Sequence, residues 1–151
     1  MEISHIRDYI ATEGFFVATP VGTSMWPMLR NRRDNVYLVK YEGGLKKYDL
    51  PVYIRTDGSH VMHRCLGKSE DGTYIMCGDH QWVKEYGITD EQIIAVAQGF
   101  YRGEKYISCN NIFYKLYYRL WSLNLGLRKF AIRVLHKIFP YQKALNGYKE
   151  M

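Results

Sequence analysis

The sequence predicts a mainly β domain, barrel-like or sandwich-like, with a short helix in front and an amphipathic helical tail behind. Three observations carry this. Short apolar runs of strand length alternate with glycine- and aspartate-bearing turns across residues 15–109. Beyond Asn111 the apolar period changes to three and four, the period of a helix. The chain has 151 residues, 47% of them hydrophobic, which suits one domain with a real core. The division expected is a β body over 1–109 and a helical tail over 110–151.

Taken in order, Ser4 is placed to cap a helix whose Ile6 and Ile10 share a face and which Gly14 ends. "FFVATPVG" is β-rich and broken by Pro20. "NVYLVK" (35–40) alternates as a strand does, and Gly43-Gly44 lies in the polar loop after it. "LPVYIR" (50–55) and "HVMHRCL" (60–66) read as two strands joined by "TDGS", where Asp-Gly is a hairpin signal. "EDG" (70–72) turns into "TYIMC" (73–77), and "IIAVAQGFYR" (93–102) pairs with "KYISC" (105–109) across Gly103. That makes six or seven strands.

In the tail, Ile112, Leu116, Leu120, Leu123 and Leu127 recur at helical spacing, as do Phe130, Val134 and Ile138. One or two helices are expected, with an interruption near Gly126 and an end at Pro140. The net charge of +6 is concentrated here. Residues 110–151 carry eight bases against Glu150 alone, a net of +7, while residues 1–109 are close to neutral at −1. Three fates suit such a tail: packing on the β body, lying on an anionic membrane surface, or binding nucleic acid. Tyr114, Tyr117, Tyr118, Trp121 and Phe139 among the bases suit a peripheral membrane contact through 111–139. Nucleic acid is disfavoured, because no stacking motif on a sheet is visible.

Cys65, Cys77 and Cys109 are odd in number and form no paired framework, which points to a reducing, cytoplasmic compartment. Glu2, Asp8 and Glu13 interrupt the first twenty residues, which read as neither signal peptide nor anchor. The uncharged run Leu120–Leu127 is far shorter than the roughly 20 residues of a membrane span.

One stretch fits neither a turn nor a core: "GTSMWPML" (22–29), in which the small hydroxyl residue Ser24 sits among bulky apolar neighbours. A serine becomes a nucleophile only beside a base. Of the five histidines, His63 is notable, lying in the apolar run "VMHRC" next to Arg64. A histidine in a strand is commonly a satisfied core residue. A third group would have to orient it, and Asp79 in "MCGDHQ" and Glu85 in "WVKEYG" are the candidates. Asp79 could equally cap a turn, and Glu85 could be a surface charge.

Order and spacing are more informative than any one of these pieces. Gly-x-Ser-Met-x-Pro comes first, then Arg33-Asp34 before a strand. "VMHR" follows 39 residues after the serine and "CGD" 16 further on. Over roughly residues 17–102 the chain resembles the signal peptidase superfamily, which includes the self-cleaving repressors of the bacterial DNA-damage response. His63 followed by Arg64 is similar to the histidine variant of archaeal and endoplasmic-reticulum signal peptidases. "GDHQWVKEYGI" is similar to the family's Gly-Asp-Asn-Asn segment.

The resemblance implies a signal-peptidase-like β domain acting as a serine endopeptidase on leader or signal segments, without metal or other cofactor. Ser24 would attack the scissile carbonyl and His63 would act as base and then acid. Glu85, or else Asp79, would hold the imidazole. The Ser24 backbone N–H would meet the oxyanion, a donor worth roughly 3 kcal/mol of barrier. Met25, Trp26 and Pro27 would form an apolar platform for a substrate that is extended and has small residues at the cleavage segment. Two positions depart from the pattern: Gly22 stands where many signal peptidases carry a serine, and Glu85 replaces an aspartate. The family's N-terminal anchor is also absent from this sequence. The repressor branch would need a DNA-binding domain ahead of Ser24, for which about twenty residues are too few.

Two rivals belong to other classes. His60, His63, Cys77 and His80 are zinc-competent residue types, but residues three apart in a strand point to opposite faces. The other rival is a peptidase-shaped module without activity that binds membrane or a partner through its basic tail.

Overall fold

A computed structural model describes residues 3–139, with side chains from His5 onward. Helix α1 (Ile3–Glu13) ends at Gly14, whose φ of +84° is natural for glycine alone and lets its N–H reach the Ile10 carbonyl at 2.8 Å. Ser4 falls inside the helix rather than before it. Ile10 is buried and Ile6 packs beside it, as their spacing predicts.

The described residues form nine strands in two sheets, a mainly β fold that is not one closed barrel. The larger sheet contains β1 (Phe15–Ala18), β2 (Asp34–Lys40), β3 (Pro51–Ile54), β4 (His60–Met62), β8 (Ile93–Arg102) and β9 (Lys105–Ser108). Its order is β1-β2-β8-β3-β4, with β9 also paired to β8, and its pairings are antiparallel. The smaller sheet is β5 (Arg64–Lys68), β6 (Tyr74–Cys77) and β7 (Glu85–Ile88).

Two differences from the sequence reading matter for the site. The run "HVMHRCL" is two strands, not one. β4 pairs with β3 in the larger sheet, β5 pairs with β6 in the smaller, and His63 is the single residue between them. The reason is a change of burial: β4 is an exposed or half-buried edge, whereas Arg64 and Cys65 are fully buried. In addition, Glu85 opens a strand, β7, which the sequence reading does not include and which has no apolar alternation: Glu85 is half-buried, Tyr86 and Gly87 are exposed, and Ile88 is buried.

Two apolar clusters divide the interior. One joins α1, the 25–29 turn and the larger sheet through Ile10, Met25, Met28, Leu29, Leu38 and Phe100. The other fills the space under the smaller sheet with Tyr53, Cys65, Tyr74 and Met76. Truncating a residue such as Leu38 in either would cost about 2–5 kcal/mol.

The tail is two helices, α2 (Ile112–Ser122) and α3 (Leu125–Ile138). The break falls at Leu123-Asn124, slightly before Gly126, because Asn124 caps α3 through its side chain to the Gly126 and Leu127 N–H groups. Asn111 caps α2 in the same way. The predicted stop at Pro140 lies outside the described residues. Of the five aromatics singled out in the tail, Phe139 is exposed and the other four turn toward the body. Tyr114 is buried, Tyr117 and Trp121 bond to Asp79, and Tyr118 lies against Tyr48 and Arg64. The aliphatic stripe faces outward instead. Among the described residues no helix is long and apolar enough to cross a membrane.

Candidate active site

The 19–33 segment crosses the mouth of the larger sheet as a run of turns. The Trp26 N–H bonds to the Thr23 carbonyl at 3.0 Å and the Leu29 N–H to the Met25 carbonyl at 2.9 Å, so that Met25, Met28 and Leu29 are buried as an anchor. Ser24 is half-buried at the start of this coil. Gly22 has φ 114°, a conformation that a serine would adopt only with strain. Its N–H is taken by Asn31 Oδ1 at 2.9 Å. The departure at Gly22 is therefore a backbone requirement.

The loop 78–81 is clamped onto the serine from the other side. The His80 N–H donates to the Ser24 carbonyl at 2.8 Å, and His80 Nδ1 lies 3.0 Å from the Thr23 carbonyl oxygen. A Cβ on Gly78 would sit 2.5 Å from the Ser24 carbonyl oxygen, so only glycine permits this approach. Four residues of the tail hold the same loop from outside. Tyr117 donates to Asp79 Oδ2, Trp121 to the Asp79 carbonyl, and Arg128 to the Gly78 and Gln81 carbonyls; His136 Nε2 lies 2.7 Å from His80 Nε2.

Ser24 and His63 line one cleft of about 300 Å³. Met25, Val52, Arg55, His60 and Gln81 also line it. Among the described residues no hydrogen bond joins Ser24 to the His63 ring, and no group accepts the Ser24 N–H.

His63 is buried, and its ring is oriented from behind. The Tyr53 hydroxyl is 3.1 Å from His63 Nδ1 and donates to Glu85 Oε2 at 2.7 Å. Glu85 Oε2 itself is 3.7 Å from Nδ1, too long for a hydrogen bond, so the contact runs through Tyr53. Arg55 grips Glu85 with two bonds of 2.7 Å, and this partner holds the carboxyl below its usual range. Burial pulls His63 down to about 4, the Arg55 charge pushing the same way and Glu85 opposing it.

Asp79 does a different job. It is fully buried and receives two bonds, 2.8 and 2.7 Å, from the fully buried Arg64. Tyr114 and the Tyr48 carbonyl accept from the same guanidinium. This pair joins the chain next to His63 to the chain next to the serine clamp. The Arg33-Asp34 pair read from the sequence is in fact Arg30–Asp34, with Arg102 adding a third charge.

Of the three residues read as a substrate platform, Met25 lines the cleft. Trp26 and Pro27 do not: Trp26 is buried against the rings of His80 and His136, and Pro27 lines a separate groove beside Tyr114. The cause is the tight coil at 23–29: its turn bonds give a helix-like winding, so consecutive side chains fan out around it and do not share one face. Tyr53, Arg55 and Gln81 were not singled out in the sequence. Tyr53 lies within β3 and Arg55 directly follows it, and the pairing of the β3–β4 hairpin brings them to His63. Among the described residues no three of the His, Cys, Asp and Glu side chains converge as metal ligands: Cys77 packs against Arg128 and His80 pairs with His136.

No family model matches the chain, and no curated protein and no solved structure is significantly similar to it.

Proposed function

We propose that the protein is a serine endopeptidase whose nucleophile is Ser24 and whose base is His63. The observation that carries this reading is that two side chains 39 residues apart line one cleft, one of them backed by an ordered tyrosine–carboxylate pair. The Tyr53 hydroxyl donates to Glu85, so its oxygen is left to accept from His63 Nδ1–H. Nε2 is then the unprotonated nitrogen and can take the Ser24 proton. Ser24 Oγ attacks the scissile carbonyl, and the oxyanion meets the Ser24 N–H. His63 passes its proton to the leaving amine. Water, deprotonated by the same nitrogen, then hydrolyses the acyl-enzyme and restores Ser24.

Glu85 acts through Tyr53 as the third member, and the buried Arg64–Asp79 pair braces both strands. The apolar walls suit an extended segment with small or aliphatic side chains, of the kind found in leader and signal peptides. The ordered resemblance to signal peptidases supports the same class.

The test is cleavage of peptides with small residues before the scissile bond, together with labelling by a serine-directed covalent inhibitor. Wild type should cleave and be labelled, while Ser24→Ala and His63→Ala should do neither. The second reading is an inactive peptidase-shaped binding module. It is favoured by Arg55 neutralising Glu85 and by the open Ser24–His63 contact. An unlabelled wild type that turns over no peptide would favour it over the peptidase.

A further inference from the structure

We propose that the outer face of α2 and α3, together with the adjoining Trp82-Val83 loop tip, docks on an anionic lipid surface. Helices that pack on a domain ordinarily turn their apolar stripe inward. Here the reverse holds. Leu116, Leu120, Leu123, Leu127 and Phe130 are all exposed, Leu120 at 60% and Leu127 at 70%, while the polar Arg128 and the tyrosines point inward. Exposed leucines and a phenylalanine at helical spacing across two helices form an extended patch, not isolated surface residues.

The charges around the stripe select the occupant. Arg119, Arg133 and Lys137 are exposed beside it, and no aspartate or glutamate occurs between Lys105 and Phe139. A second copy of this face would set bases against bases with no acid to pair them. Nucleic acid would meet the charges but leave the leucines in water. An interface of acyl chains below anionic headgroups satisfies both at once.

The 81–84 loop lies beside α3 and exposes further apolar side chains. Lys129 Nζ lies 5.4 Å from the Trp82 ring centre, and Arg128 holds the Gln81 carbonyl, so this loop abuts α3. Val83 is 72% exposed and Trp82 39%, and tryptophan favours the headgroup level. Because Glu85 follows directly, docking would orient the Ser24–His63 cleft relative to the bilayer. The proposal does not depend on hydrolysis, since vesicle binding is read without any peptide.

The experiment is co-sedimentation of the full chain with vesicles of phosphatidylcholine alone and of phosphatidylcholine mixed with phosphatidylglycerol. Wild type should bind the anionic vesicles selectively, more weakly as salt rises. Leu120→Glu with Leu127→Glu should weaken binding by at least about tenfold with an unchanged melting temperature, both positions being exposed. Arg119→Gln with Arg133→Gln should weaken it and flatten the salt dependence, which keeps the test alive if the glutamate pair disturbs folding. Tryptophan emission should shift to shorter wavelength on binding, and that shift should shrink in Trp82→Phe. Absence of binding, equal binding to both vesicle types, or unchanged binding in the leucine variants would overturn it. So would a wild-type dimer in solution that the leucine substitutions dissociate.

Discussion

Tyr53 places its hydroxyl 3.1 Å from Nδ1 of His63 while giving its proton to Glu85. The phenol stands between the histidine and the carboxylate, and in the proposed mechanism it would fix which ring nitrogen is free. Tyr53→Phe keeps the buried ring and removes this link. The proposed peptidase should then lose about 5- to 30-fold in kcat, equivalent to one hydrogen bond of about 1–2 kcal/mol, with KM little changed. Steady-state kinetics on one peptide substrate measures it; an unchanged kcat would remove Tyr53 from the relay.

Burial sets the pH response of His63. Its ring is held down to about 4 against an ordinary value near 6.5, so it stays neutral in mild acid. The acid limb of kcat/KM should fall near pH 4 to 5 and not near 6.5. Stability has the matching sign. The unfolded chain takes up a proton near pH 6.5 that the folded chain refuses, so stability drops as pH falls from about 6.5 to about 4, by up to about 3 kcal/mol. His80, lowered chiefly by burial, adds to the same loss. Urea unfolding at a series of pH values measures the slope, and His63→Gln should make it shallower.

Asp79 and Glu85 should separate cleanly. Asp79→Asn leaves the Arg64 guanidinium buried without its counter-charge and should cost about 3–5 kcal/mol, read as a large fall in melting temperature. Glu85 is a quarter exposed and its partner Arg55 more so, so Glu85→Gln should cost well under 1 kcal/mol of stability while lowering kcat. Equal thermal effects of the two substitutions would contradict this division of roles.

Gly78→Ala tests the clamp on the serine. The new methyl would meet the Ser24 carbonyl oxygen at 2.5 Å and Gln81 Oε1 at 2.8 Å. Backbone must yield, so about 1–3 kcal/mol of destabilisation is expected, with a loss of activity larger than the stability change accounts for. Thermal melts paired with peptide cleavage at a temperature where the variant is folded distinguish the two effects.

Much of this was legible in the chain. The strands at 35–40, 50–55, 73–77 and 93–109 lie where alternation and Gly-bearing turns put them, because a half-buried sheet imposes its period on the sequence. The β4–β5 split was not legible: the run His60–Leu66 is uniformly apolar or bulky, and nothing local marks a change of sheet. Strand β7 was missed for the opposite reason, since an exposed edge needs no apolar alternation. The tail's helical period was evident, but which side would face inward was not. A leucine stripe and a tyrosine-arginine stripe both recur at three and four, and the buried Asp79 and the open carbonyls of the 78–81 loop draw the polar one in.

The sequence by itself determined a mainly β body, two helices after it, and a serine, a histidine and two acids in a telling order. Those are local or one-dimensional properties, set by period, turn chemistry and spacing. Tertiary structure alone decided that Ser24 and His63 share a cleft, that Tyr53 stands between His63 and Glu85, and that Asp79 belongs to Arg64. Contacts between residues 10 to 39 positions apart depend on how strands pair and where burial forces a charge to find its partner, and no local pattern records that.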